Sequence, residues 1–247
     1  GILGGMRVHE TVMQWVTEEL ASGRLHIGDH LPGERTLAET LGVSRNSLRE
    51  ALRILEALGT LHTSTGTGPR SGTIVTAAPE QALSLSLSLQ LATRQVEPQD
   101  VLQVRLLLEA WAANHSDPAR GDWAQPEWIL DRMDDETLEV AEFLRLDAEF
   151  HVLASRAADN PLISTLMDAL RIAIFDHTLS RAQRLPDWGA TSARLRREHR
   201  GILDALRHGR GEEAADLLET HIRGYYQETA EHSTADEHAV EASRPNA

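Results

Sequence analysis

Apolar positions recur three and four apart over most of this chain, the spacing of helices that bury one face. Residues 7–23 put Val8, Val12, Trp15, Val16 and Leu20 on one side. The turn-rich GRLHIGDHLPG then leads to a short helix, ERTLAETLG, that Gly42 ends. In VSRNSLREALRILEALG, Ser44 is a natural N-cap, Leu48, Leu52 and Leu55 repeat at helical spacing, and Gly59 is a stop. The period then changes: LHTST and TIVTA are β-prone runs around GTGPRSG, the pattern of a hairpin. Two short helices joined by a tight LGVS turn, followed by a hairpin, predict a winged helix-turn-helix over residues 7–77.

After Pro79 the pattern becomes long and helical, with segments near 81–94, 98–115, 125–134, 137–158, 160–185, 190–208 and 211–232. ALSLSLSLQLA is ambiguous, since Leu and Ser alternate with the period of a strand. Leu83, Leu87 and Leu91 also share a helix face, and no partner strand lies nearby, so a helix is expected. The fold class is mainly α: a winged helix-turn-helix, then an all-α bundle over 80–232. Residues 233–247 are polar and aperiodic, and a disordered tail is expected there. The chain shows no internal repeat, and the five residues ahead of Met6 are set aside from the fold.

Composition narrows the chemistry. The 247 residues hold no cysteine, so disulfides and thiolate chemistry are excluded and any metal must have N and O ligands. No apolar run approaches the ~18–20 residues of a membrane span, and no secretory signal is legible, so the expected compartment is the cytoplasm. The net charge of −14 makes the whole chain a poor general binder of polyanions. It is unevenly spread: residues 1–78 carry seven Arg against eight acidic residues, and residues 79–247 carry seventeen Arg against thirty. If the chain binds DNA, the near-neutral N-terminal part must do so, with locally clustered arginines.

A recognition helix must offer hydrogen-bonding groups to a major groove about 12 Å wide while burying its other face. Arg45, Asn46 and Arg49 fall opposite Leu48, Leu52 and Leu55. Arg can bond guanine O6 and N7 together, and Asn can do the same for adenine. Arg35 begins the preceding helix, within reach of a phosphate or base edge, and Gly66 and Gly68 at the wing tip permit close approach to the DNA. Each arginine alone is more often a solvated helix face; the shared arrangement reverses those odds. The run LPGERTLAETLGVSRNSLREALRILEALGTLHTSTGTGPRSGTIV resembles the DNA-binding domain of the GntR family of bacterial transcription regulators. The resemblance implies DNA contacts by Arg35, Arg45, Arg49 and Gly66. Gly33 departs from the family's usual Ser cap, at a cost of a few tenths of a kcal/mol. His62 and Thr63 are also less typical, which leaves the operator sequence open.

In LDAEFHVL, Asp147 and His151 lie one helical turn apart, so they are neighbours on one face. Alone they would make an ordinary surface pair. RLRREHRGILDALR and DLLETHIRGYY, however, set His199 and His221 at the edges of apolar faces in two later helices. A buried imidazole needs a partner, and one divalent cation could satisfy three imidazoles and a carboxylate together. The donor set suits Zn²⁺, Ni²⁺ or Mn²⁺ without choosing among them. For His115, His177, His208 and His232 the ordinary surface or core role is expected. Arg105 is the one cation in VLQVRLLLEAWAA, and suits either a carboxylate clamp or an i, i+4 ion pair with Glu109. Arg171 is a weaker clamp candidate of the same kind.

Residues 80–230 resemble the FCD effector domain of the FadR subfamily. That resemblance implies a metal at Asp147, His151, His199 and His221, with a small carboxylate effector at or near it and Arg105 as its clamp. It also implies a homodimer on an operator with two-fold symmetry, most often a repressor released by its ligand, though the sequence does not give the sign. A metal-dependent enzyme is the first alternative; it lacks a positioned base or nucleophile and leaves the DNA-binding module idle. A metal-free regulator sensing acyl-CoA is the second, and the filled four-ligand set speaks against it.

Overall fold

The computed structural model describes residues 7–64, 72–76 and 80–242, the side chains of 80–81 and 231–242 excepted. The chain divides into two compact units between Leu83 and Ser84.

In the first unit α1 (Val8–Ala21), α2 (Glu34–Leu41) and α3 (Arg45–Ala57) precede β1 (Leu61–Ser64) and β2 (Gly72–Val75). Ser44 caps α3 as expected, its Oγ accepting from the Ser47 amide at 3.1 Å. Gly33 stands at the N-cap of α2 with no side-chain bond, and Gly42 ends that helix at φ +67°. That left-handed conformation strains any residue with a Cβ, so the tight turn between α2 and α3 depends on glycine there. Val12, Val16, Leu37, Leu48, Leu52 and Leu55 close one core with Leu61 and Val75. β1 and β2 pair antiparallel, Leu61 opposite Val75 and Ser64 opposite Gly72. A bridge from His30 to Ile74 adds a third short segment to this wing.

The second unit is helical: α4 (Glu80–Ala92), α5 (Pro98–Asn114), α6 (Ala124–Met133), α7 (Val140–Ser155), α8 (Pro161–Ala182), α9 (Trp188–Arg207) and α10 (Gly211–Ala242). The ambiguous Leu/Ser stretch is the helix α4. Leu87 and Leu91 pack on the buried cluster formed by α5, α7 and α8, while Leu83 is exposed and does not join them. Helix α10 corrects the expected tail, since it continues through residues 233–242. HSTADEHAVEA contains neither Gly nor Pro, and the first breaker is Pro245, so local propensity lets the helix run on. Residues 243–247 lie outside the described residues.

α10 packs along α5 and α9, and α7 lies between α6 and α8. Phe143, Leu144, Phe150, Leu195, Ile202, Leu218 and Ile222 make up the main core where α7, α9 and α10 meet. The four expected metal ligands project from these same three helices.

Candidate metal centre and DNA-reading face

α7 supplies Asp147 and His151 one turn apart, α9 supplies His199, and α10 supplies His221. All four side chains are buried, His151 and His199 completely. One donor atom from each lies within 4.8 Å of the others. Asp147 Oδ1 stands 2.8 Å from His199 Nε2, 3.6 Å from His151 Nε2 and 4.0 Å from His221 Nε2. Ligand atoms ~2.1 Å from one ion are about 3 Å apart when adjacent and ~4 Å apart when opposite, so these separations suit a single small cation.

Two glutamates decide which nitrogens face inward. His151 Nδ1 is hydrogen-bonded to Glu109 Oε1, and His221 Nδ1 lies 2.6 Å from Glu198 Oε2. A carboxylate accepts, so each Nδ1 carries the proton and each neutral ring turns a lone pair at Nε2 toward the centre. Those two Nε2 atoms are 3.2 Å apart. Two lone pairs at that distance repel unless a proton or a metal ion lies between them. Burial opposes a charge on His151, yet Glu109 raises its pKa above the ordinary value. Burial and the neighbouring His199 push His221 down to about 4. Both ring nitrogens of His199 are buried without a hydrogen bond, although Asp147 Oδ1 is close to Nε2. An orphaned imidazole beside an ionised carboxylate fits a cation's ligand shell. Burial opposes the charge of Asp147, but the close imidazoles of His151 and His199 hold its pKa well below the carboxylate range.

Arg105 makes the ion pair with Glu109 that its spacing allows, Nε to Oε2 at 2.6 Å, and both groups are buried. Burial opposes ionisation of Glu109, but Arg105 and His151 bring its pKa down to about 2. Glu109 thus joins Arg105 to the His151 imidazole. Arg105 also lines a small cavity with Asp147, Thr178, His221, Tyr225 and Tyr226, whose ≈ 10 Å³ is about the room one water needs.

Sequence reasoning met Glu109 only as an ion-pair partner and missed Glu198. The latter sits beside His199 in the chain but serves His221, 23 residues away on another helix. Arg194 holds Glu198 at 2.8 Å from the same face of α9, an i, i+4 pattern that was the one available signal. His115, His177 and His208 lie outside this cluster. His115 stacks on Trp111, His208 reaches the Asp204 carbonyl, and His177 meets the Tyr226 hydroxyl at 3.2 Å. The His232 side chain lies outside the described residues.

On the first unit, Arg45, Asn46 and Arg49 are exposed on α3, opposite its buried leucines. Arg49 pairs with Glu34 at 2.7 Å, and Arg35 is 3.8 Å from Glu39. Gly66 and Gly68 fall outside the described residues. No helix among the described residues is long and apolar enough to cross a membrane.

The profile of the FCD domain matches residues 100–224, and the profile of bacterial regulatory proteins of the gntR family matches residues 8–70. The chain is similar to the HTH-type transcriptional regulator LutR of Bacillus subtilis, 26% identical over 86% of this chain and 100% of that one. It is similar to the Glc operon transcriptional activator of Escherichia coli K12, 25% identical over 87% and 85% of the two chains. Among solved structures, a Streptococcus agalactiae GntR protein shares the fold, with a TM-score of 0.61 and 24% identity over 88% of this chain and 98% of that one.

Proposed function

The chain belongs to the GntR family of bacterial regulatory proteins, with an FCD domain as its second unit, and we propose that this DNA-binding transcription regulator senses a small carboxylate at a metal centre. It is a regulator and not an enzyme. Asp147, His151, His199 and His221 would hold a divalent ion of the Zn²⁺, Ni²⁺ or Mn²⁺ type. When bound, such an ion supplies a Lewis-acidic position that a carboxylate oxygen can take. The observation that carries this reading is the facing pair of Nε2 atoms, with their lone pairs fixed inward by Glu109 and Glu198.

Arg105 is the proposed clamp for the effector's carboxylate, since a guanidinium can keep Glu109 on one edge and take an anion on another. The cavity beside it is too small for even a three-carbon acid, so binding requires Tyr225, Tyr226 or their helix to shift. An effector that prefers the shifted arrangement moves the population toward it, and DNA affinity changes by the same coupling factor. The proposed DNA contacts are Arg35, Arg45, Asn46, Arg49 and the wing-tip Gly66. The regulator would act in the cytoplasm as a homodimer on an operator with two-fold symmetry, as a repressor that its effector releases. Exposed Val104, Leu107 and Trp111, spaced along one face of α5, support self-association.

A thermal-shift screen of small carboxylates against metal-loaded protein tests this reading. A true effector raises the melting temperature, because it binds only the native state. The shift should disappear in Arg105→Ala while bound metal is retained. A full shift in that variant would leave Arg105 with its Glu109 pair as its only role.

A further inference from the structure

The second unit carries an unassigned cleft of ≈ 420 Å³ between α6, α7 and α8, within the range of small-molecule sites. Asp147 and His151 project from one face of α7, whereas Glu149, Val152 and Arg156 project from roughly the opposite face and line the cleft. The cleft is therefore separate from the metal centre. Its floor is apolar, with Ile129 and Val152 buried beneath it. Trp128 forms a wall, about half exposed, with the Arg132 guanidinium 5.2 Å from its ring.

The four charged side chains lining it sum to zero, but their pairing is uneven. Asp168 is matched by Arg156 at 3.3 Å, and Glu149 is matched by Arg145 at 3.5 Å. Arg171 remains, half-buried on α8, with no hydrogen bond or ion pair to the described residues. An indole wall, an apolar floor and one guanidinium without a partner among the described residues together suit a planar anion. The ring would lie against Trp128 and its carboxylate would take the forked donors of Arg171. We propose that this cleft is a second small-molecule site, independent of the metal, for an aromatic carboxylate.

The test is a calorimetric titration of the full-length, zinc-loaded protein with indole-3-acetate, and with indole-3-acetamide as its uncharged counterpart. Expected is one site per chain that binds the acid at least tenfold more tightly than the amide. Binding should survive EDTA, weaken at least tenfold in Arg171→Gln, and fall in Trp128→Ala. Arg171→Lys, which keeps the charge and loses the fork, should lie between wild type and Arg171→Gln. The acid–amide ratio in the unaltered protein decides the charge requirement even if a variant fails to fold. Absence of binding, equal affinity for acid and amide, loss of binding with EDTA, or full affinity in folded Arg171→Gln would each overturn the site. So would sedimentation showing that Trp128→Ala dissociates an assembly of two copies, because the cleft would then be a contact between chains.

Discussion

At the scale of single residues, this protein's chemistry depends on which way four imidazole and carboxylate groups are turned. Glu109 and Glu198 each take the Nδ1 proton of one histidine and leave Nε2 facing its counterpart. Removing such an outer partner typically costs 10–100-fold in metal affinity. Glu198→Ala should weaken zinc affinity by about that factor in competition with a fluorescent chelator, because Glu198 is only half-buried and its loss leaves the core intact. Unchanged affinity would mean that His221 is held by packing alone. The four clustered side chains were legible in the sequence as candidates. Asp147 and His151 have helical spacing, and His199 and His221 interrupt apolar faces. Glu198 was not legible, because its partner is fixed by how α9 packs on α10, which no local spacing encodes.

At the scale of elements, α3 is the clearest case of sequence dictating role. Its cap, its buried leucines and its exposed Arg45, Asn46 and Arg49 all follow from one 3.6-residue period. The structure adds that Arg49 is already paired with Glu34 in the free protein. An exposed pair of this kind contributes no more than about 1 kcal/mol, so a guanine edge competes with it readily. Arg49→Ala should therefore cost about 1–3 kcal/mol of operator binding, measured by anisotropy against a scrambled duplex. Equal affinity for the operator would remove Arg49 from the base-reading set. Two other elements show where pattern alone falls short. In α4, alternating Leu and Ser satisfied two periods at once, and packing of Leu87 and Leu91 decided for helix. In α10, polarity suggested a loose tail, yet the absence of Gly and Pro from residues 232–244 lets the helix continue.

At the scale of the whole molecule, two units of different character divide the work. The first is nearly neutral and presents arginines from one helix; the second is strongly acidic and buries a cluster of nitrogen and oxygen donors. This division was visible in the change of pattern at Pro79 and in the charge distribution. The near-closure of the cavity beside Arg105 was not visible, because it depends on side chains from α5, α7, α8, α9 and α10 meeting at one point. The central claim is that the buried cluster holds a metal ion. Elemental analysis of protein purified without chelator or a metal-affinity tag tests it most directly. The account predicts one divalent ion per chain, lost in a His199→Ala variant that still shows a helical circular-dichroism spectrum. Unaltered protein free of metal that takes up none from added zinc, nickel or manganese, or a His199→Ala variant that keeps its full metal content, would contradict it.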